Sequence, residues 1–181
     1  MKKGFTLIEL LAVITITGIL AVMILPNLVG SYEKSLKKAM AIQESKLKDA
    51  ATLMVNDYCN QRISKEKYDE CKNGNVIFKQ ENWPLTDEDG NTVYKTIYFV
   101  KLETLKAANY YENELYYEHS DTEDCRAIVL FDAFVDGTGA NKVTKYTGDR
   151  AYVSCFDEGK QTYLTGGATD YYKILRPDEV E

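Results

Sequence analysis

The sequence predicts an α+β fold, in which one long N-terminal helix precedes an antiparallel β-sheet. Apolar residues run almost without interruption from Phe5 to Val29, and they then recur about every four residues as far as Cys59. Beyond residue 91, short segments rich in β-branched and aromatic residues alternate with tight turn sequences, which is typical of antiparallel strands. At 181 residues, the chain is long enough for one domain with its own core.

The first helix is predicted to have two halves with different surroundings. Residues 5–29 contain one charged residue, Glu9. A helix rises about 1.5 Å per residue, so this apolar half is long enough to cross a hydrocarbon layer roughly 30 Å thick. Residues 30–59 are amphipathic, so we expect this half to pack on the sheet while the apolar half protrudes.

Glu9 is the least expected residue of the apolar half, because a carboxylate in hydrocarbon is costly unless it has a partner. A secretory signal peptide would have a shorter apolar run before a small-residue cleavage site, and a plain anchor has no use for an acid. No basic side chain lies one helical turn away. Cleavage after Gly4 would create an amine on Phe5, and the amine of one subunit could then pair with Glu9 of its neighbour and fix their axial register.

Residues 3–10, with the sequence KGFTLIEL, resemble the class III signal sequence of type IV pilins and the related pseudopilins of type II secretion. The resemblance extends over about residues 1–55 and is one of architecture only beyond them. It implies that residues 1–4 form a leader peptide. It also implies that a prepilin peptidase cuts between Gly4 and Phe5 and methylates the new N-terminus on Phe5.

The same resemblance implies roles for three residues within the helix. Glu9 matches the position that pairs with the N-terminus of the neighbouring subunit. Gly18 and Pro26 fall where family members have helix-loosening residues, and the segment between them is often unwound in assembled filaments. Pro26 removes one helical hydrogen bond and Gly18 adds backbone freedom, while Thr15 and Thr17 can bond freed backbone groups. A mild kink in a membrane helix would explain Gly18 and Pro26 equally well.

Charge is distributed unevenly along the chain. Residues 1–50 hold seven lysines and four acids, a net charge of 7 − 4 = +3, whereas the remainder holds 15 basic and 24 acidic residues, a net charge of 15 − 24 = −9. An acidic body repels phosphate, so we expect no nucleic-acid site on it. The lysines before the apolar run favour a cytoplasmic N-terminus and an external body.

The four cysteines lack the C-x-x-C spacing of zinc ribbons and thioredoxin-type sites. An even number of cysteines in a chain with an export signal suggests two disulfides. Of the three possible pairings we favour Cys59–Cys71, which closes a short loop, and Cys125–Cys155, which could cross-link two strands. Four reduced, partly buried thiols remain the alternative.

The remaining elements are predicted from local patterns. Residues 60–91 are interpreted as a loop region with turn signals, 101–109 as a short helix, and 171–181 as a polar, frayed tail. Asp157–Lys160 is a hairpin turn signal. Strands are predicted at 92–100, 125–135, 142–146, 150–156 and 161–165.

The sequence contains no pattern that indicates catalysis, a cofactor or a metal. His119 is the only histidine, and its polar flanks are typical of a surface loop. The acidic run at 87–91 fails the spacing of an EF-hand and is interpreted as an exposed turn. We therefore expect a protein that is not an enzyme.

Paired tyrosines occur at 110–111, 116–117 and 171–172. In a strand, one member of each pair would face outward, and exposed tyrosines favour protein or glycan contacts. Tyrosines at the edges of a small core are the commoner arrangement, and it is the one that we favour.

Two functions fit these observations. The first is a structural subunit of a type IV pilus that supports adhesion, twitching motility, aggregation or DNA uptake. The second is a minor pilin or a pseudopilin of a secretion or competence system. The resemblance implies that pseudopilins often lack disulfides, so the four cysteines favour a pilin. In either case we expect a precursor in the cytoplasmic membrane, a prepilin peptidase and assembly machinery as partners, and a homo-oligomeric filament. For a pilin, that filament is an extracellular pilus.

Overall fold

The computed structural model describes residues 6–59, 65–118, 120–138 and 143–179, and the backbone alone for residues 21–29 and 179. The chain forms a long helix followed by a five-stranded antiparallel sheet, so the predicted α+β fold is confirmed. The helices are α1 (Leu7–Cys59), α2 (Lys65–Lys72), α3 (Leu102–Ala107) and α4 (Tyr172–Leu175), and the strands are β1 (Phe78–Thr86), β2 (Thr92–Lys101), β3 (Asp124–Asp136), β4 (Val143–Asp157) and β5 (Lys160–Leu164). Short 3-10 turns occupy Ala168–Tyr171 and Pro177–Glu179.

The chain divides into two compact units, residues 1–39 and residues 40–181. In the first unit, the large apolar side chains from Leu7 to Leu20 are between 50% and 82% exposed. The helix in this unit is therefore stabilised by its backbone hydrogen bonds and helix propensity, because its apolar side chains are not packed in a core. Such a surface needs lipid or other protein surfaces around it.

In the second unit, every strand pairs with its neighbour along the chain, in the order β1-β2-β3-β4-β5. The longest pairing joins β3 to β4, from Asp124 opposite Phe156 to Asp136 opposite Val143. Two residues, Glu158 and Gly159, connect β4 to β5 with φ values of 49° and 78°. Positive φ at both positions suits a tight hairpin turn, as the sequence predicts for this segment.

Within the second unit, α1 contributes a fully buried face. Its members are each 2% exposed or less: Met40, Leu47, Ala51, Met54 and Val55. Fully burying a side chain of this size contributes about 1.5–3 kcal/mol. Residues 40–55 of α1 therefore contribute a buried apolar face to the core of the second unit.

A close approach between α1 and β4 occurs at Gly148. A Cβ atom at this position would lie 2.5 Å from the Thr52 hydroxyl oxygen and 3.4 Å from a ring carbon of Phe131. Thr52 cannot rotate away at no cost, because its hydroxyl donates to the carbonyl oxygen of Lys48 at 2.8 Å. The missing side chain of Gly148 therefore sets how closely the helix and the strand approach.

We expect Gly148→Ala to lower the free energy of unfolding by about 1–3 kcal/mol, because the added methyl overpacks this contact. Thr52→Ala should cost less, and the double variant Thr52→Ala/Gly148→Ala should recover most of the loss. Chemical denaturation of the four proteins forms a double-mutant cycle. Strict additivity of the two substitutions would contradict the proposed steric cause.

Polar contacts also hold this part of α1 to the body. The Glu44 carboxylate accepts hydrogen bonds from the Tyr163 hydroxyl at 2.9 Å and from the Thr165 hydroxyl, which in turn accepts from the backbone N–H of Val153. Burial, and then the neighbouring carboxylate of Glu44, raises the pKa of Tyr163 to about 12. The network fixes β5, a short edge strand, against the helix.

The prediction of a loop region at 60–91 is wrong for most of its described residues, which contain α2 and β1. Trp83 and Pro84 fall in this predicted loop region, but they lie in β1, at the edge of the sheet. Proline is tolerated there because one side of an edge strand needs no backbone donor. The pairing with β2 shifts between Gln80 and Trp83, where Asn82 has a φ of 52°.

Two further predictions need correction. The predicted strands at 142–146 and 150–156 fall within one strand, β4 (Val143–Asp157), except for residue 142, which lies outside the described residues. The pairing of β4 with β3 is irregular between Gly148 and Ala151, and the strand continues through this irregularity. The prediction of a frayed tail at 171–181 is wrong for its described residues, 171–179, among which Tyr171, Leu175 and Arg176 are all 9% exposed or less. The apolar side chains of this segment join Ile97, Phe99, Ile128, Leu130 and Tyr152 in one core cluster.

Candidate assembly site

The N-terminus of α1 is capped by reciprocal hydrogen bonds between Thr6 and Glu9. One Glu9 carboxylate oxygen accepts from both the backbone N–H and the hydroxyl of Thr6, each at 2.8 Å, and the Glu9 N–H donates to the Thr6 hydroxyl oxygen at 3.4 Å. This is the capping box of a Thr-x-x-Glu sequence, which satisfies backbone donors that the first helical turn leaves without partners. The arrangement orients the Glu9 carboxylate toward the N-terminal end of the helix.

This local partner was missed in the sequence reasoning, which looked only for a basic side chain near Glu9. The Thr6-x-x-Glu9 spacing was the signal that could have found it. Thr6 is neutral, and none of the ion pairs among the described residues includes Glu9. The carboxylate is therefore positioned by the helix end but keeps its charge available for a cation.

Thr15 and Thr17 turn their hydroxyls back onto the helix, as the sequence suggested they can. Thr15 donates to the carbonyl oxygens of Leu11 and Ala12 at 3.1 and 2.9 Å, and Thr17 donates to those of Val13 and Ile14 at 2.8 and 3.1 Å. Such back-bonding satisfies the hydroxyls without water and slightly weakens the helix. It makes two polar residues compatible with an apolar environment.

The other predicted site residues are placed as follows. A Cβ atom at Gly18 would have no atom of the described residues within 4 Å, so no contact among them requires glycine there. The backbone of α1 continues through Gly18 and Pro26, whose side chain lies outside the described residues. Gly4 and Phe5, the predicted cleavage and methylation site, also lie outside them. Loosening of the helix is predicted for the assembled filament and stays a prediction.

Comparison with known proteins bears directly on this segment. Residues 1–25 match the family described as the prokaryotic N-terminal methylation motif. This match supports the resemblance of the N-terminal segment to type IV pilins and pseudopilins. It is similar to the type II secretion system core protein G of Escherichia coli (strain K12), with 49% identity over 37 residues, which are 20% of this chain and 26% of that protein.

The protein of the same description from Dickeya chrysanthemi is also 49% identical over 37 residues, 20% of this chain and 24% of that protein. The chain thus spans about a quarter of the length of these curated relatives. No solved structure matches the chain. The similarity to each relative covers 20% of the chain, so most of the protein must be interpreted from its own residues.

No helix within the described residues combines the length and apolar character of a membrane-spanning segment.

The body of the protein contains two disulfides, Cys59–Cys71 and Cys125–Cys155, which are the pairs that the sequence favours. The first ties the end of α1 to α2, with 5.4 Å between its Cα atoms. The second joins directly opposed residues of β3 and β4. Glu123 lies within 4.8 Å of the sulfurs of the second bond, but disulfide sulfurs are not thiolate ligands, so this group is not a metal site.

The tyrosine pairs lie mostly at the edges of the core. Tyr111, Tyr117 and Tyr171 are buried. The Tyr117 ring stacks on that of Tyr163 with 4.9 Å between their centres, and the Tyr171 ring is tilted against that of Tyr152 at 4.7 Å. Tyr116 is 38% exposed. The remaining candidate, His119, lies outside the described residues. At 87–91, the Asp87 carboxylate accepts from the backbone N–H groups of Asp89 and Asn91, so it is engaged in its own turn.

Proposed function

We propose that this protein is the structural subunit of a type IV pilus, assembled from the cytoplasmic membrane through α1. In this proposal, residues 1–4 are a leader peptide, 5–29 the membrane and polymerisation helix, 30–59 the amphipathic helix and 60–181 the displayed head. The observation that carries it is Glu9, the one charged residue of an apolar segment that matches the methylation motif. No catalytic step is assigned to the chain.

Hydrophobic burial supplies the driving force for assembly in this proposal. Nine large apolar side chains between Leu7 and Leu20 are at least half exposed in the single chain. Fully burying each contributes about 1.5–3 kcal/mol, so covering them among sister helices yields of the order of 10 kcal/mol, enough to offset much of the entropy lost on association. Apolar contacts are not directional, so the axial register needs a separate device.

The pair formed by Glu9 and the amine of Phe5 on a neighbouring subunit is that device. Opposite charges attract strongly where water is excluded, and a misplaced subunit would leave both groups buried without partners. The capping box supports this role, because Thr6 holds the carboxylate at the N-terminal end of its helix. The proton-bearing amine exists only after the leader has been removed.

Mass spectrometry and N-terminal sequencing of the mature protein test the proposal. The mature chain should begin at Phe5, lack residues 1–4 and carry one added methyl group. Its mass should also be lower by four hydrogens, one pair for each disulfide. A polymerised chain that still begins with Met1 would rule out this mode of assembly.

A second candidate is a pseudopilin that forms a short fibre within a secretion system, or a minor pilin at a filament tip. The named relatives favour it, because both are described as core proteins of type II secretion. Their similarity covers 37 residues, 20% of this chain, which leaves the role of the head open to the pilus proposal. Recovery of the protein as the dominant band in sheared surface filaments would support a major pilin, and a trace band the second candidate.

A further inference from the structure

One exposed face of α1 is basic and forms no ion pair with the part of the chain that the structure describes. Lys34, Lys37 and Lys38 are spaced at i, i+3 and i+4, so they share a face of the helix, and all three are exposed. None of the ion pairs among the described residues includes them. The acid nearest in sequence, Glu33, also forms none. We refer to Lys34, Lys37 and Lys38 as the lysine patch.

The head carries a surface of opposite charge between α3 and β3. Residues 112–124, which we call the acidic loop, contain six acids and no lysine or arginine. Two of the six are paired within the chain, Glu114 with Lys106 and Asp124 with arginines. Three others are exposed and form no ion pair among the described residues: Glu112, Glu118 and Asp121.

Hydrogen bonds hold the acidic loop in a defined conformation. The Glu123 carboxylate accepts from the backbone N–H groups of Tyr117 and Glu118 at 2.9–3.2 Å and from the Thr162 hydroxyl at 3.1 Å. Asp157, at the end of β4, accepts from the Ser120 hydroxyl at 2.9 Å. Because these bonds fix the loop before any partner arrives, little conformational entropy is lost on docking.

A side-chain amide ties the same loop to α1. Gln43 donates from its amide nitrogen to the Tyr116 carbonyl oxygen at 3.0 Å and accepts from the Tyr116 N–H at 3.4 Å. The acids at 112, 118 and 121 are thus presented outward from a loop that both α1 and the sheet support.

We propose that the lysine patch of one subunit receives the acidic loop of a second copy of this chain. The inference rests on the proposed filament and names the surfaces through which its heads and helices meet. Three unpaired cations on the helix complement three unpaired acids on the loop. Complementary charge of this kind selects orientation and speeds docking, while the apolar helices supply the affinity.

Anionic lipid headgroups are another possible occupant of the lysine patch. The charge distribution favours the second copy, because the acidic partner surface is present on the chain itself and is already ordered. A lipid partner would also leave the three acids of the loop without a counterpart. The experiment below separates the two occupants.

Charge reversal in the native host tests the proposal. Lys34→Glu/Lys37→Glu/Lys38→Glu should reduce sheared surface filaments by at least about tenfold, because it places like charges across the contact. Glu112→Lys/Glu118→Lys/Asp121→Lys should have a similar effect. The six-residue variant that combines both reversals should regain most of its filaments. A matched control, Lys72→Glu/Lys95→Glu/Lys173→Glu, makes the same change of charge at exposed sites elsewhere and should assemble nearly normally.

Three outcomes would overturn the inference. Normal filaments from the lysine-patch variant would do so, as would a combined variant that assembles no better than either parent. A lysine-patch variant whose precursor is lost from the membrane, and that the loop reversal does not restore, would assign the patch to lipid. The pilus proposal survives all three results, since wild-type filaments persist. Absence of filaments from the correctly processed wild-type protein would instead reject the pilus proposal itself.

Discussion

Glu9→Ala is expected to leave membrane insertion and removal of the leader intact while it reduces filaments by at least about a hundredfold. The substitution makes the apolar half of α1 more hydrophobic, so the precursor should enter the membrane as well as before. In the filament, however, the amine of Phe5 on a neighbouring subunit would be buried without its partner. Breaking a buried ion pair on one side only is among the more damaging substitutions that proteins show.

Quantification of sheared filaments against processed membrane protein measures this effect. Glu33→Ala is the matched control, because it removes an acid from the same helix beyond the apolar segment and should leave filaments near the wild-type amount. Glu9→Gln separates the two roles of the residue. It can keep the hydrogen bonds with Thr6 but not the charge, so it should fail almost as severely as alanine. Normal filaments from the glutamine variant would mean that capping, not ion pairing, is the function of Glu9.

The features that could be predicted from the sequence are those that depend on local, repeated patterns of residues. The end of α1 at Cys59 follows from apolar spacing, and β2, β3 and β5 follow from runs of β-branched and aromatic residues. The cysteine pairing follows from the short loop before Cys71 and from strands that place Cys125 opposite Cys155. Each of these patterns is decided by residues close to the element that it describes.

The features that were missed depend on contacts distant in the chain. Pro84 is compatible with a strand only because β1 lies at the sheet edge, which no local pattern states. The close approach that requires Gly148 depends on Thr52, almost a hundred residues earlier. At the candidate assembly site, Glu9 could be predicted as a functional residue because its surroundings are apolar. Its hydrogen bonds with Thr6 were not predicted, because only a cation was considered as its partner.

The C-terminal segment shows the same dependence through Arg176. A sequence ending in polar residues suggests fraying, yet Arg176 is 1% exposed. Its guanidinium donates to the carboxylate and the carbonyl oxygen of Asp124 and, at 3.0 Å, to the carbonyl oxygen of Ser154. It also lies 4.6 Å from the centre of the Phe156 ring. The Arg176 side chain therefore joins the C-terminal segment to both β3 and β4.

Arg176→Ala should lower the free energy of unfolding of the head by about 3 kcal/mol or more. The loss combines a cavity, the contact with Phe156 and buried carbonyl oxygens left without donors. Arg176→Lys should recover only part of it, because an ammonium group cannot reproduce the planar, forked donor geometry.

Arg126 supplies the control, since it pairs with the same Asp124 but is 32% exposed. Arg126→Ala should cost less than about 1 kcal/mol. Urea denaturation of the full chain in detergent, with both disulfides intact, measures all three variants. Equal losses at Arg126 and Arg176 would show that the ion pair, and not the burial of the guanidinium, holds the C-terminal segment in place.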